Sequence, residues 1–323
     1  MNSGAGFDLK VPPRHVLCVG AAVLDTLFRV RSMPSGQGKV LPYDMLQVAE
    51  GMASSAAYAV ARLGGRASLW GAVGDDETGA RIIAELSRDG IDTTGVVKVE
   101  GARSAVSTIL IDDLGERLIV PFYDPLLHQT TRAIGAEDVA AFDAVLVDVR
   151  WPKLALATLV AAREAGKPAI LDGDVAADGV IEMLAPAATH IVFSQPAAER
   201  LAGTTDLIAT VSRLKQKFEQ AFVCVTAGEQ GCYWLDEIDR SVKSMPAIKI
   251  EAVDTLAAGD IFHGAFALAI AEGQPTADAI RFSSVAAALK CQSFGGRMGA
   301  PTAAEVQGAL RLNAEVLVNR TAG

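Results

Sequence analysis

Cysteine is scarce in this chain, and the little there is does not group. The four residues, Cys18, Cys224, Cys232 and Cys291, form no C-x-x-C pair, and the four histidines do not cluster. No zinc or dithiol framework can be drawn from that pattern. Cys18, Cys224 and Cys291 lie in apolar runs and read as buried thiols of a reducing cytosol. Positive charge is also short: 29 Lys and Arg stand against 38 Asp and Glu, for a net charge of −9. That balance argues against nucleic acid or an anionic membrane as the main partner, although a local Lys/Arg cluster can still hold a small anion. No apolar stretch is long enough to span a bilayer. The opening MNSGAGFDLKVPPR lacks the apolar core of a signal peptide, so a cytoplasmic location is expected. Neither G-x-x-x-x-G-K-[ST] nor G-x-G-x-x-G occurs, which removes the local signals of Walker-type and Rossmann nucleotide binding. Repeats and low-complexity linkers are missing too.

What is present is a regular alternation. Apolar runs at His15–Gly20, Ser68–Gly74, Ala144–Val149, Pro168–Leu171, His190–Phe193 and Phe222–Thr226 read as strands. Between them lie helical patterns at Ala53–Leu63, Asp76–Gly90, Lys153–Ala165, Val175–Leu184, Ala197–Leu201 and Asp206–Glu219; three more follow at Ile261–Glu272, Thr276–Gln292 and Thr302–Val318. Strands separated by helices predict βαβ units, hence an α/β fold with a mostly parallel sheet covered on both faces. A chain of 323 residues can bury one large core, and residues 1–323 are expected to form a single domain behind a loose tail at 1–14. Residues 36–50 are strand-like, and 103–122 read as a hairpin with a Gly115 turn. Together they predict a small discontinuous β lid that excludes water from a site. Its exposed strands could pair two subunits into a homodimer.

The stretch that carries chemistry is VDTLAAGDIFHGAFALAIAEG, Val253 to Gly273. A small-residue turn feeds a helix, leaving unpaired amides and the positive end of the helix dipole pointing outward. That is an anion site, and phosphate is its usual occupant. Asp260, in the first turn, would repel a phosphate, but it can take a proton from a hydroxyl that attacks one. A plain helix-dipole carboxylate is the structural alternative. His263, one turn on, reads as a packing residue.

Asp254-Thr255-Leu256-Ala257-Ala258-Gly259-Asp260 resembles the second signature of the ribokinase-like (PfkB) carbohydrate kinases, D-T-x-G-A-G-D. Glu50-Gly51-Met52-Ala53-Ser54-Ser55-Ala56-Ala57, running on to Ala61-Arg62-Leu63-Gly64, resembles the first, G-G-x-x-x-N ending in A-R-L-G. The resemblance spans essentially the whole chain. Asp148-Val149-Arg150-Trp151, Leu171-Asp172-Gly173-Asp174, Ile261–Ala265 and Ala288–Cys291 followed by Gly295-Gly296-Arg297 are similar, within that family, to the sulfofructose kinases.

The resemblance implies a three-layer α/β/α fold with a β lid, and phosphoryl transfer from ATP with Mg²⁺ to a primary hydroxyl of a sugar. Asp260 is implied as base, with the amides of Ala257, Ala258 and Gly259 on the γ-phosphate. Asp25, Gly51 and Ser55 would face the sugar, and Lys39 and Arg150 would grip a sulfonate. For Asp25 a turn cap, and for Lys39 a solvated charge, are the alternatives. Thr226, Gly228 and Gly231, with Lys290 and Gly296, are implied to line the nucleotide pocket; a plain β-turn is the other reading of the first three. The implied substrate is 6-deoxy-6-sulfofructose, phosphorylated at C1. The rivals are a ketohexose, another sugar or a nucleoside, and a sugar-binding regulatory protein without turnover. Four departures from the family pattern stand out. Ala257 replaces a glycine, and Ser55 replaces an asparagine. Ser194-Gln195-Pro196-Ala197 replaces N-x-x-E, so no metal ligand is assigned there; Asp172 and Asp174 could face Mg²⁺ through water, an acidic turn being the other reading. The lid asparagine is replaced near Pro121.

Overall fold

A computed structural model describes residues 12–36, 38–129 and 133–318, with side chains as far as residue 312. Most of the expected N-terminal tail lies outside the described residues. The chain opens with β1 (His15–Gly20), leaves for β2 (Val23–Arg29) and β3 (Asp44–Glu50), and returns through α1 (Met52–Arg62) to β4 (Arg66–Gly74), α2 (Glu77–Arg88) and β5 (Ile91–Val99). The hairpin β6 (Ala105–Ile111) and β7 (Arg117–Phe122) follows, then a helical turn α3 (Ala136–Val139). The main run resumes with β8 (Ala144–Val147), α4 (Pro152–Glu164), β9 (Ala169–Gly173), α5 (Val180–Leu184), β10 (His190–Ser194), α6 (Gln195–Ala202), α7 (Leu207–Lys217) and β11 (Phe222–Thr226). Strands β12 (Cys232–Leu235) and β13 (Val242–Met245) lead to α8 (Ala258–Ala271), α9 (Thr276–Lys290) and α10 (Ala303–Val318).

The larger sheet has the order β13-β12-β11-β10-β9-β8-β1-β4-β5, with every strand parallel except β12, which is antiparallel to both its neighbours. Its central strands are apolar without alternation because both faces are covered. Val16 and Cys18 of β1 pack toward α1, α8 and α9, while Leu17 and Val19 pack toward α4, α6 and α7. Those are the three layers. From β1 the chain first builds outward to β4 and β5, then restarts at β8 on the other side of β1. The crevice beyond the carboxyl ends of β1 and β8 is therefore the topological switch point, where ligands bind in such sheets.

The smaller sheet has the order β3-β2-β6-β7, with β2 and β6 parallel and the outer pairs antiparallel. The expected hairpin is there. Two details differ from expectation. Residues 38–43 form no strand, and the sheet's second strand is β2, which the sequence presents as a continuation of the apolar run after Gly20. The inward face carries Asp25, Leu27, Val48, Ser107, Ile109 and Ile111, all buried. Leu27, Val48, Ile109 and Ile111 share a small core with Leu256, from the loop ahead of α8. Arg117, at the start of β7, donates to Thr255 Oγ1 at 2.6 Å. The small sheet thus rests directly on the turn that precedes Asp260.

Candidate active site

Acidic side chains converge on the switch point. Asp148 follows β8, Asp172 is the last residue but one of β9, Asp174 lies just beyond that strand, Asp260 lies in the first turn of α8, and Asp25 and Glu50 arrive from the small sheet. Asp148 is structural glue. Its carboxylate accepts the amides of Ala21 (2.8 Å), Ala53 (3.1 Å) and Arg150 (2.8 Å), tying β1, α1 and β8 together. Burial pushes Asp25, Glu50, Asp172 and Asp260 upward, and repulsion between carboxylates adds to the rise at the last three. Asp260 is half-buried at the cleft, and its pKa is raised well above the usual carboxylate range by desolvation, with Asp172 and Glu50 adding to the rise. Asp172 is raised likewise by burial, Asp174 and Asp148. Burial lifts Asp25 to about 6 against a bond from Ser107 Oγ (2.7 Å), and Glu50 to about 7.

Around Asp260 the backbone is arranged for an anion. Ala258 N–H is spent on Thr255 O at 3.3 Å and Ile261 N–H on Ala257 O at 2.9 Å, whereas the amides of Ala257, Gly259 and Asp260 find no acceptor among the described residues. The free set is therefore not the expected Ala257, Ala258 and Gly259: the Asp260 amide takes the place of Ala258. Ala257 has φ +60, so the position does need the left-handed conformation, and its methyl group costs roughly 1–2 kcal/mol there. His263 is buried as expected, its ring nitrogens 2.7 Å from Gly259 O and 3.1 Å from Val192 O, pinning the first turn of α8 to β10.

Three expected ligand contacts are corrected. Ser55 is fully buried, and its hydroxyl donates to Glu50 Oε2 at 2.5 Å rather than facing a sugar. Lys290 is 0 % exposed and donates to Asp254 O at 2.7 Å, with Asp254 Oδ2 3.4 Å away. Gly296 is buried with φ +57, its amide on Asp254 Oδ2 at 2.9 Å and its Cα against Glu50. Neither Lys290 nor Gly296 lines an open pocket. They belong to a buried polar network, Glu50–Ser55–Arg297 and Asp254–Lys290, that supports the turn from beneath. The network is invisible in sequence because its partners come from remote segments.

On the side of the small sheet Asp25 stands mid-sheet, opposite Val48 and Ser107, with Pro121 next in the row. Gly51 has φ +114, and a Cβ there would lie 2.5 Å from Ala21 O, so only glycine fits at the head of α1. Arg150 donates to Val175 O at 3.2 Å and lies 3.6 Å from Asp174 Oδ2, while its buried Nε has no acceptor among the described residues. Lys39 is exposed beyond β2. A residue that sequence reading missed is Tyr123: burial raises its phenol to about 12, and Arg150, Asp148, Asp25 and Asp260 all act on it. Its position just after a strand of the small sheet was the available signal.

On the other side, Thr226 ends β11, donating to Phe193 O at 3.2 Å. Gly228 has φ +52 with open space where a Cβ would stand, which suits close approach of a ligand. Gly231 is different: a Cβ would lie 2.0 Å from Met245 O, so its glycine serves the packing of β13. No three His, Cys, Asp or Glu side chains among the described residues converge on a metal site.

The raised carboxylates make a stability prediction. A folded pKa above the unfolded value stabilises only at low pH, and that contribution is lost as pH rises through the folded value. For Asp25 the window runs from its ordinary 3.8 to about 6. The half-buried histidines His15, His128 and His190 are lowered and act in the opposite sense, so the difference between parent and Asp25→Asn is the informative quantity. Between pH 4 and 7 the parent should lose about 2–3 kcal/mol relative to Asp25→Asn by denaturant unfolding. A constant difference refutes the raised pKa.

A half-buried carboxylate at the mouth of a helix, beside free amides and at the switch point of a doubly covered parallel sheet, is the equipment of a small-molecule phosphotransferase. The chain belongs to the pfkB family of carbohydrate kinases, whose model matches residues 13–303. It is thereby a kinase with an alcohol group as acceptor. It is similar to Schizosaccharomyces pombe ribokinase, 28% identical over 315 residues that cover 92% of this chain and 98% of that one. Fructokinase-1 of Oryza sativa subsp. japonica is 28% identical over 280 residues, 79% of this chain and 86% of its own. An Agrobacterium tumefaciens crystal structure, provisionally assigned as a ribokinase, matches with TM-score 0.92 at 64% identity, covering 94% of this chain and 99% of that one. Arabidopsis thaliana ribokinase, solved with ribose and ATP, shares the fold at TM-score 0.77 and 22% identity, over 92% and 98% of the two chains.

Proposed function

We propose that the protein transfers the γ-phosphoryl group of MgATP to a primary hydroxyl of a sugar, 6-deoxy-6-sulfofructose at C1 being the first choice. The observation that carries the kinase reading is Asp260 beside the free amides of Ala257, Gly259 and Asp260. Asp260 takes the proton of the sugar hydroxyl as its oxygen bonds to the γ-phosphorus; the bond to the β–γ bridging oxygen breaks and ADP leaves. The amides hold the equatorial oxygens as their charge redistributes. Mg²⁺ would arrive with the nucleotide and neutralise phosphate charge; Asp172 and Asp174 would meet it through water. The Gly228 turn would receive the nucleotide. That Arabidopsis ribokinase was solved with ribose and ATP supports the choice of donor. The small sheet would act as a lid over the sugar. Its outer row, including Val106, Leu118 and Val120, is exposed and suits pairing of two subunits.

For the substrate, a cation facing an otherwise acidic cleft favours an anionic sugar. Arg150, with an unpaired buried Nε, supplies that cation. The similarity to ribokinases and fructokinases favours the rivals, ribose and fructose. ADP release with a panel of sulfofructose, fructose, tagatose, ribose and nucleosides decides among them. The expected result is a kcat/KM for sulfofructose at least tenfold above every other sugar; a preference for an uncharged sugar overturns the first choice. No phosphoryl transfer to any acceptor, with sugar binding retained, leaves the regulatory reading. Arg150→Ala should raise KM for the sulfonated sugar about 10- to 100-fold, the worth of a charge-assisted hydrogen bond, while changing that for fructose less than threefold. Equal losses for both would make Arg150 an organiser of the Asp174 loop instead.

A further inference from the structure

The turn ahead of α8 contains a conformation that its sequence disfavours. Ala257 is left-handed at φ +60, where the family pattern has glycine. Such a residue persists only where its surroundings over-determine it. What fixes the segment leading into it is one carboxylate. Asp254 Oδ1 accepts Leu256 N–H at 2.8 Å, and Oδ2 accepts the amides of Gly295 (3.0 Å) and Gly296 (2.9 Å). Asp254 N–H and Val253 N–H both reach Cys291 O, at 3.1 and 2.8 Å. The whole clamp is then charged from within by Lys290, the last residue of α9, whose ammonium donates to Asp254 O at 2.7 Å and lies 3.4 Å from Oδ2. Neither group is solvated. Removing one partner of such a pair strands the other in a dry interior, which costs far more than the pair itself is worth. Five amides and an ammonium thus fix the residues on either side of 254, and the chain arrives at Ala257 with little choice.

We infer that Lys290 is a positioning residue: its buried ammonium holds Asp254 and so keeps the left-handed Ala257 turn, with its free amides, assembled for the phosphate. The inference rests on the reading of that turn as the phosphate seat. Without the ammonium, the alanine relaxes toward an ordinary conformation and the seat is populated only part of the time. A glycine at 257 has no such preference, so it should protect the seat against loss of Lys290. The two positions are therefore coupled, although 33 residues separate them and neither side chain is a reacting group.

A double-mutant cycle tests this. Lys290→Met should lower kcat about 10- to 100-fold while KM for the sugar moves less than threefold. In the Ala257→Gly background the same Lys290→Met change should lower kcat at least fivefold less. Added ammonium chloride, against a sodium chloride control of equal ionic strength, should restore part of the Lys290→Met rate by filling the vacated space. Equal losses in both backgrounds overturn the inference, as does unchanged kcat in Lys290→Met. If Lys290→Met does not fold, Lys290→Gln, which keeps one donor for Asp254 O, carries the same cycle with the same outcomes. Additive losses together with an inactive Asp260→Asn would sink the clamp and leave the kinase. A parent protein that transfers phosphate to no sugar would instead sink the reading on which the clamp rests.

Discussion

Replacing Asp260 with asparagine is expected to lower kcat by about 10² to 10⁴, the usual worth of a positioned general base. Asparagine matches the shape of aspartate and keeps the helix start, so the anion seat should survive while proton removal is lost. Because the interaction is made only as the reaction proceeds, kcat and kcat/KM should fall together and KM should stay close to the parent value. Two companion results separate this from damage to the fold. Burial, with crowding by Asp172 and Glu50, raises the Asp260 carboxyl well above its ordinary range, so the parent's kcat/KM should fall as pH drops through that raised value; the residual rate of the variant should lack this acid limb. The same crowding makes the ionised Asp260 a burden on the folded state at neutral pH, so the variant should melt at the same temperature or higher. Turnover within threefold of the parent would end the assignment.

The second large effect is on folding. Gly20 has φ +147, and a Cβ there would lie 2.1 Å from the Asp148 carboxylate. That carboxylate cannot step aside, because it holds the amides of Ala21, Ala53 and Arg150. Gly20→Ala therefore combines backbone strain of about 1–3 kcal/mol with a clash against a fixed group at the centre of the switch point. We expect a loss of about 3 kcal/mol or more, or roughly 5–10 °C in Tm. Gly166→Ala is the control: its φ is +66, but nothing lies within 4 Å of the added carbon, so it should cost only the strain. Scanning calorimetry of both variants decides. A Gly20→Ala no worse than Gly166→Ala would show that Asp148 is not the rigid pin described.

Much of this was legible from the residues. His15–Gly20 and Phe222–Thr226 appear as strands with the expected bounds because strands covered on both faces are continuous apolar runs. The head of α8 was legible because its amide-rich turn and its acid are local features. β5 was not: it lies at the sheet edge and is largely exposed or half-buried, so it lacks an apolar run. β2 was absorbed into the run after Gly20 because only pairing with β3 and β6 separates it from β1. Ser55, Lys290 and Gly296 show a different limit. Each lies in or near a signature, but spacing does not say which way a side chain turns. Their partners, Glu50 and Asp254, are set by a fold that brings residues 50, 254 and 290–297 into one interior.

Leu256 belongs at once to the core of the small sheet and to the segment that ends in Asp260. Arg117 adds a second link, to Thr255. The small sheet and the turn ahead of α8 are therefore joined by packing and by a hydrogen bond, and neither can shift without straining the other. On the proposed kinase reading, a ligand that pressed on the sheet would load the Asp260 turn through those same two contacts, so Leu256→Ala with Arg117→Ala should uncouple the two.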